Sequence, residues 1–295
     1  MEFSKNSPED IVLYNGHIRG MDKLRPYLPE NYISATGTVL LANLPRFSCH
    51  GDGTSAIAMG TVLLATGFYV GGYPETDGPA GTWALAGALK KLGFNPVIVT
   101  DELCRGIFEA ENMETEYIPF DADEEFCENI LEKYRPVALI SLERCGVNKD
   151  GEYANMRGVG ISEHTAPVDI LFKLAFGKIL TVGIGDGGNE IGMGNIADII
   201  STKLSVKPCV VCVDKLIIST VSNWGGYALC AFWQKETGKK VLPSIDEVVG
   251  FMERASKYGC VDGISGENVI KEDGYSPETT EMILAALKEY AENSG

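Results

Sequence analysis

The chain has 295 residues, 45% of them apolar, which is enough for one large α/β domain over 1–295 with an N-terminal helical arm at about 1–35. Forty-one acidic residues against twenty-five basic ones give a net charge of −16, which opposes nucleic acid and anionic membrane and favours cations or amines in any acidic cleft. Eight cysteines scatter without a framework spacing, the N-terminus lacks a signal-like region, and no apolar run reaches the ~20 residues of a membrane span, so a cytoplasmic protein is expected.

In chain order, 8–29 mixes apolar and polar positions at helical spacing and reads as one or two short helices, a packing arm. Residues 48–55 form a polar knot with His50 and Asp52 among glycines. An apolar run at 61–70 reads as a strand that opens into an elbow at 71–82 carrying Glu75 and Asp77, and 83–91 follows as a helix with Gly93 as its stop. Further strands are predicted at 96–100, 116–119 and 136–142, with helices at 102–111 and 124–134 between them. Such connections imply crossover helices and a mostly parallel, Rossmann-like three-layer sheet.

The strand at 136–142 delivers a long polar loop bearing Glu143, Arg144, Asp150, Asn155 and Arg157, with His164 expected in the first turn of the next helix. Loops of that length are uncommon in a compact domain unless they are functional. Both charge signs are on offer: arginines to clamp a carboxylate, acids to take an ammonium or a metal. A buried strand at 178–184 then breaks into Gly185, Asp186, Gly187, Gly188, Asn189 and Glu190 before a helix expected over 191–204. Glycines there free backbone N–H groups, while the acids and the amide crowd oxygens into one turn. A strand at 208–218 carries Cys209 and Cys212, read as core, and a fourth elbow with Ser222 and Asn223 leads into the helix at 227–235. Helices at 245–258 and 277–293 end the chain, and Asp262 between them reads as a turn residue.

In a parallel sheet the carboxyl ends of the strands lie on one edge, where ligands bind. Asp52, Glu75, Asp77, Asp186 and Glu190 would converge there as metal ligands, with Glu143, Asp186 and Glu190 as catalytic candidates. Oxygen-rich ligation with little His or Cys points to Mg²⁺ or Mn²⁺. Substrate contacts are expected from Arg144, Asp150, Asn155, Arg157, Gly187, Gly188, Asn189, Ser222 and Asn223.

Three strings, TGFYVGGYPETDGPAG at 66–81, ERCGVNKDGEYANMRG at 143–158 and GDGGNEIGMG at 185–194, together resemble the D-glutamate cyclase family in its C-terminal domain. The resemblance implies dehydration of D-glutamate to 5-oxo-D-proline, a small-molecule substrate and a lyase. On that reading Glu143 or Glu190 is the general base, Arg144 or Arg157 anchors the α-carboxylate, and a divalent ion polarises the side-chain carboxylate. A metal-dependent phosphohydrolase acting on a phosphorylated metabolite is the alternative. It rests on the likeness of GDGGNE to a phosphatase metal loop and on Asp121 and Asp123 after a strand, although Glu125 stands where that motif needs Thr or Val. A metal- or amino-acid-binding module without turnover is the third reading, and homo-oligomerisation is left open.

Overall fold

The computed structural model describes residues 7–43 and 60–293. The arm consists of α1 (Pro8–Val12), α2 (Met21–Leu24) and α3 (Tyr32–Ala42). The sheet strands are β1 (Thr61–Ala65), β4 (Asn95–Thr100), β5 (Thr115–Tyr117), β6 (Ala138–Leu142), β7 (Leu180–Gly185) and β8 (Lys215–Ile218), and β2 (Tyr69–Val70) pairs with β3 (Tyr73–Pro74) in a separate hairpin. The longer helices are α4 (Pro79–Leu92), α5 (Glu124–Tyr134), α6 (Asp169–Ala175), α7 (Ala197–Lys203), α8 (Ser222–Thr237), α9 (Ile245–Ser256) and α10 (Pro277–Glu292).

All five pairings in the main sheet are parallel, in the order β5-β4-β1-β6-β7-β8. The strands are apolar along their length because both faces of a parallel sheet are covered: β6 is buried at every position. Counted among themselves, these strands run three-two-one-four-five-six, the doubly wound order. From β1 the chain steps one way to β4 and β5, then returns past β1 to β6 and steps the other way. Right-handed crossovers therefore put α4 on one face and α6 on the other. The order reverses between β1 and β6, and their carboxyl ends open a crevice there, the place such folds bind ligands.

Local sequence explains where the elements stop. The strand expected over 61–70 ends at Ala65, because Gly67 turns at φ 101 and the chain enters the β2–β3 hairpin. The helix expected at 102–111 is two single 3₁₀ turns, Glu102–Cys104 and Glu109–Glu111, since Arg105 leaves the helical region at ψ 129. The helix expected at 191–204 is shortened to α7 behind a 3₁₀ turn, because Ile191 N–H donates to Arg144 O and Gly192 N–H to Val211 O. Likewise only Lys215–Ile218 of the run 208–218 joins the sheet, since Cys209 N–H and Val210 N–H donate to the carbonyls of Gly188 and Val147. The loops after β6 and β7 and the segment before β8 are thus laced together, and Cys212 is only half-buried.

Helix α8 packs against α4, α10, α3 and α1 and is buried through twelve consecutive residues from Ser222 to Trp233. The N-terminal halves of α4 and α8 touch at glycines: a Cβ on Gly226 would lie 3.3 Å from Gly81 O, and one on Gly81 would lie 2.8 Å from the Asn223 Cα. That approach brings two helix N-termini to the crevice together. Among the described residues no helix is long and apolar enough to cross a membrane.

Candidate active site

The acids at the strand ends do meet. Glu75, Asp77, Glu143, Asp186 and Glu190 are each at most 5% exposed, and Asp273, from the segment before α10, joins them at 9%. Asp52 and His50 lie outside the described residues. Beside the acids is a cavity of about 490 Å³ whose wall includes the partly buried Arg19 and the buried Glu75, Glu143, Asn189 and Asp273. Tyr69, Asn155, Arg157 and His164 also line it, with Arg157 exposed. His164 is not a helical residue as expected; it sits in the 3₁₀ turn Ser162–His164 and stacks on Tyr69 with ring centroids 4.4 Å apart.

Asp77 and Asn223 fix the two helix starts by exchanging caps. Asp77 Oδ1 accepts from the Asn223 N–H (2.7 Å) and Oδ2 from the Ser222 N–H (2.9 Å), at the start of α8. In return Asn223 Oδ1 accepts from the N–H groups of Gly78 (2.9 Å) and Gly81 (2.6 Å), at the start of α4. Free N–H groups at helix starts need such partners. Asn223 Nδ2 also donates to Glu272 Oε1 at 2.7 Å, which Tyr227 Oη reaches at 2.8 Å. Asn223 is therefore a buried joint, and it does not line the cavity.

Glu143 is held differently. Its backbone takes φ 47, a left-handed conformation that costs an ordinary residue energy, and its Oε2 accepts from Ser222 Oγ at 2.5 Å. Glu190 turns back on its own loop: Oε1 and Oε2 accept from the N–H groups of Gly187 and Gly188, both at 2.8 Å. Those two glycines, expected to offer N–H groups to a ligand, offer them to Glu190. Asn189 Nδ2 donates to Ala154 O at 2.9 Å and lines the cavity. Asn155 Oδ1 accepts from the N–H groups of Arg157 and Val159, which shapes the rim.

Two sequence candidates go elsewhere. Arg144 is fully buried against Asp101 (Nη2 to Oδ2, 2.6 Å) and donates to Gly67 O and Ala166 O, both at 2.8 Å. It braces the ends of β1 and β4 and does not line the cavity. Asp150 pairs with Lys207 at 3.0 Å on the exposed surface. Asp262 closes a turn, as expected, through Ser265 and Gly274.

Sequence reasoning missed Asp273 and, more consequentially, Arg19. It sits in the arm between α1 and α2, which Tyr32 Oη to Ile218 O (2.7 Å) and Thr220 N–H to Val12 O (2.9 Å) tie to the end of β8. Its Nη1 donates to Asp186 Oδ2 at 2.8 Å and pairs with Asp273. Only its isolation, one arginine between Gly16 and Gly20, marked it in the sequence.

One guanidinium does not neutralise this many acids. Burial, then the charges of Asp186, Glu190, Glu75 and Asp77, holds the Glu143 carboxyl well above the usual range. Burial does the same to Asp186 and Glu75; Arg19 opposes it in both, and neighbouring carboxylates add to it. Asp77 and Glu190 are raised by burial against the pull of their backbone N–H donors. Burial disfavours the Arg19 cation, but Asp186, Glu143, Glu190 and Asp77 outweigh it and raise its pKa.

Among the described residues, two triads place carboxylate oxygens within 4.8 Å of one another, Asp77–Asp186–Asp273 and Glu143–Asp186–Glu190, and either could hold a metal ion. Arg19 already bridges two members of the first. In the second, Asp186 Oδ1 is buried with no hydrogen-bond partner among the described residues, a lone oxygen that a cation would satisfy. All-oxygen donors suit a hard divalent ion.

The family described as D-glutamate cyclase-like, C-terminal, matches residues 9–288. This chain belongs to that family. It is 34% identical over 201 residues to the human protein named D-glutamate cyclase, mitochondrial, an alignment covering 59% of this chain and 32% of that protein. The chain thus matches about a third of its curated relative's length. An exopolyphosphatase-related protein from Bacteroides fragilis, known as a crystal structure, superposes with a TM-score of 0.40 and 9% identity over 90% of this chain and 59% of its own.

Proposed function

We propose that this chain is a D-glutamate cyclase-like lyase that dehydrates D-glutamate to 5-oxo-D-proline. The observation that carries the reading, beside family membership, is the cavity at the sheet's switch point with Glu143 in its wall. In the reaction the α-amine attacks the side-chain carboxylate carbon, one N–C bond forms and one C–O bond breaks. The ammonium gives up two protons, and these leave with the departing oxygen as water.

Glu143 fits the proton-handling role better than Glu190. Its carboxyl faces the cavity and is held by one hydroxyl, whereas both oxygens of Glu190 are committed to backbone N–H groups. A carboxyl whose pKa is pushed upward can take the amine proton near neutral pH and return it to the leaving oxygen. Surrounding acids favour the ammonium end of the substrate, and Arg157 at the rim retains the role of α-carboxylate anchor; Arg144 does not. Mg²⁺ or Mn²⁺ held beside the unpartnered Asp186 Oδ1 would supply a Lewis acid for the poorly electrophilic carboxylate.

The phosphohydrolase alternative loses support from placement. Asp123 Oδ1 caps α5 through the Phe126 N–H at 2.9 Å, and the Asp121–Asp123 segment follows β5, the edge strand, away from β6 and β7. The test is purified protein with D-glutamate, L-glutamate and 5-oxo-D-proline, with and without Mn²⁺ or Mg²⁺, read by chiral chromatography. Interconversion of D-glutamate and 5-oxo-D-proline that Glu143→Gln abolishes is expected. Silence under all these conditions, with folded protein, would discard the lyase reading.

A further inference from the structure

The guanidinium of Arg19 uses only part of its donor set. Nη1 is occupied by Asp186 and Asp273. The side-on edge, made of Nε–H and Nη2–H pointing the same way, meets no oxygen among the described residues. Nε is buried with no partner, and Nη2 has only the Met156 sulfur at 3.7 Å, a weak acceptor. An unpaired buried donor is costly, and this edge is the fork that matches the two oxygens of a carboxylate. Arg19 and Met156 both line the cavity, with Glu143 in the same wall.

We infer that the Nε/Nη2 edge of Arg19 binds the substrate's reacting side-chain carboxylate, with the Met156 thioether covering the edge until that carboxylate displaces it. The inference rests on the lyase reading only for the identity of the ligand. Three features converge on it. Arg19 lines the same cavity as Glu143, the proposed proton carrier, whereas Arg157 is exposed at the mouth and suits the α-carboxylate. Two hydrogen bonds from a cation draw electron density from a carboxylate and make its carbon a better electrophile. An unbranched thioether is among the easiest side chains to move aside.

The experiment is calorimetric binding of D-glutamate, its side-chain amide D-glutamine and its α-amide D-isoglutamine, independent of turnover. Wild type is expected to bind D-glutamate roughly ten- to a hundredfold more tightly than D-glutamine, the size expected of hydrogen bonds to a charged group. Arg19→Lys keeps the charge opposite Asp186 and Asp273 but loses the fork. It should erase the preference over D-glutamine and leave the preference over D-isoglutamine. Met156→Glu, which leaves Arg19 and its ion pairs in place, should fill the fork from within and erase the same preference. No preference over D-glutamine in wild type, its persistence in folded Arg19→Lys, or loss of the preference over D-isoglutamine instead would each overturn the assignment. Failure of the lyase reading shows separately, as binding without cyclisation.

Discussion

Arg144→Met tests whether that arginine is scaffold or substrate anchor. The guanidinium and Asp101 are 1% and 2% exposed and lie 2.6 Å apart, with Gly67 O and Ala166 O as further acceptors. Removing the cation strands a buried carboxylate and two carbonyls. Breaking one side of a buried pair costs about 3–5 kcal/mol, a large part of the roughly 5–15 kcal/mol that holds a domain folded. Adding Asp101→Asn should recover part of the loss by removing the unpaired charge. Urea unfolding of wild type, both single variants and the double variant measures these quantities, and the double should be more stable than Arg144→Met alone. If Arg144→Met unfolded at the wild-type urea concentration while losing D-glutamate binding, the arginine would be an anchor and the scaffold argument would fall.

Three further outcomes follow from the site. Because burial raises the folded-state pKa values of Glu75, Glu143 and Asp186, the folded chain binds more protons than the unfolded one above about pH 4; their contribution is therefore fully present at lower pH and is lost as pH rises through the raised values. Metal-free protein should melt higher near pH 5 than near pH 8, and Glu143→Gln should flatten that slope; an unchanged slope would contradict the buried-acid account. Mn²⁺ at about a hundredfold excess over its Kd should stabilise wild type by about 2.7 kcal/mol and Asp186→Asn not at all, and an equal thermal shift in both would move the metal elsewhere. Asn223→Ala removes the cap of α4 and a buried donor to Glu272 and should cost about 1–3 kcal/mol by urea unfolding, with a loss under about 0.5 kcal/mol refuting the joint.

The sheet was legible because strands covered on both faces run apolar and then break into glycines, as at Gly185, so the elbows and their common edge follow from pattern alone. Which side chain at an elbow faces the cleft was not. Glu143 and Arg144 are adjacent, yet the left-handed backbone at Glu143, just past the end of β6, sends one into the cavity wall and the other into the scaffold. Glu190 lies among the acids, and its reach back to Gly187 and Gly188 depends on loop geometry that composition does not encode. Arg19 meets Asp186 across 167 positions of sequence, and no local periodicity announces such a contact.

Two costs coincide at Glu143. Its backbone takes a left-handed conformation that glycine would adopt without penalty, and its carboxyl is buried among other acids. Asp77 caps the start of α8, so the Glu143 carboxyl is not needed for that cap and takes only the Ser222 hydroxyl. On the proposed reading, that glutamate is kept for what its carboxyl does in the cavity. The Glu143 N–H still makes the last bond of the β6–β7 ladder, to Ile184 O, and the left-handed turn at its Cα then takes the chain out of the sheet. The same turn separates the paths of Glu143 and Arg144. Scaffold and cavity wall thus part between two adjacent residues, and on the proposed reading Glu143 is the one that moves the proton; Asp273, the other acid of the cluster with a left-handed backbone, is paired with Arg19 instead.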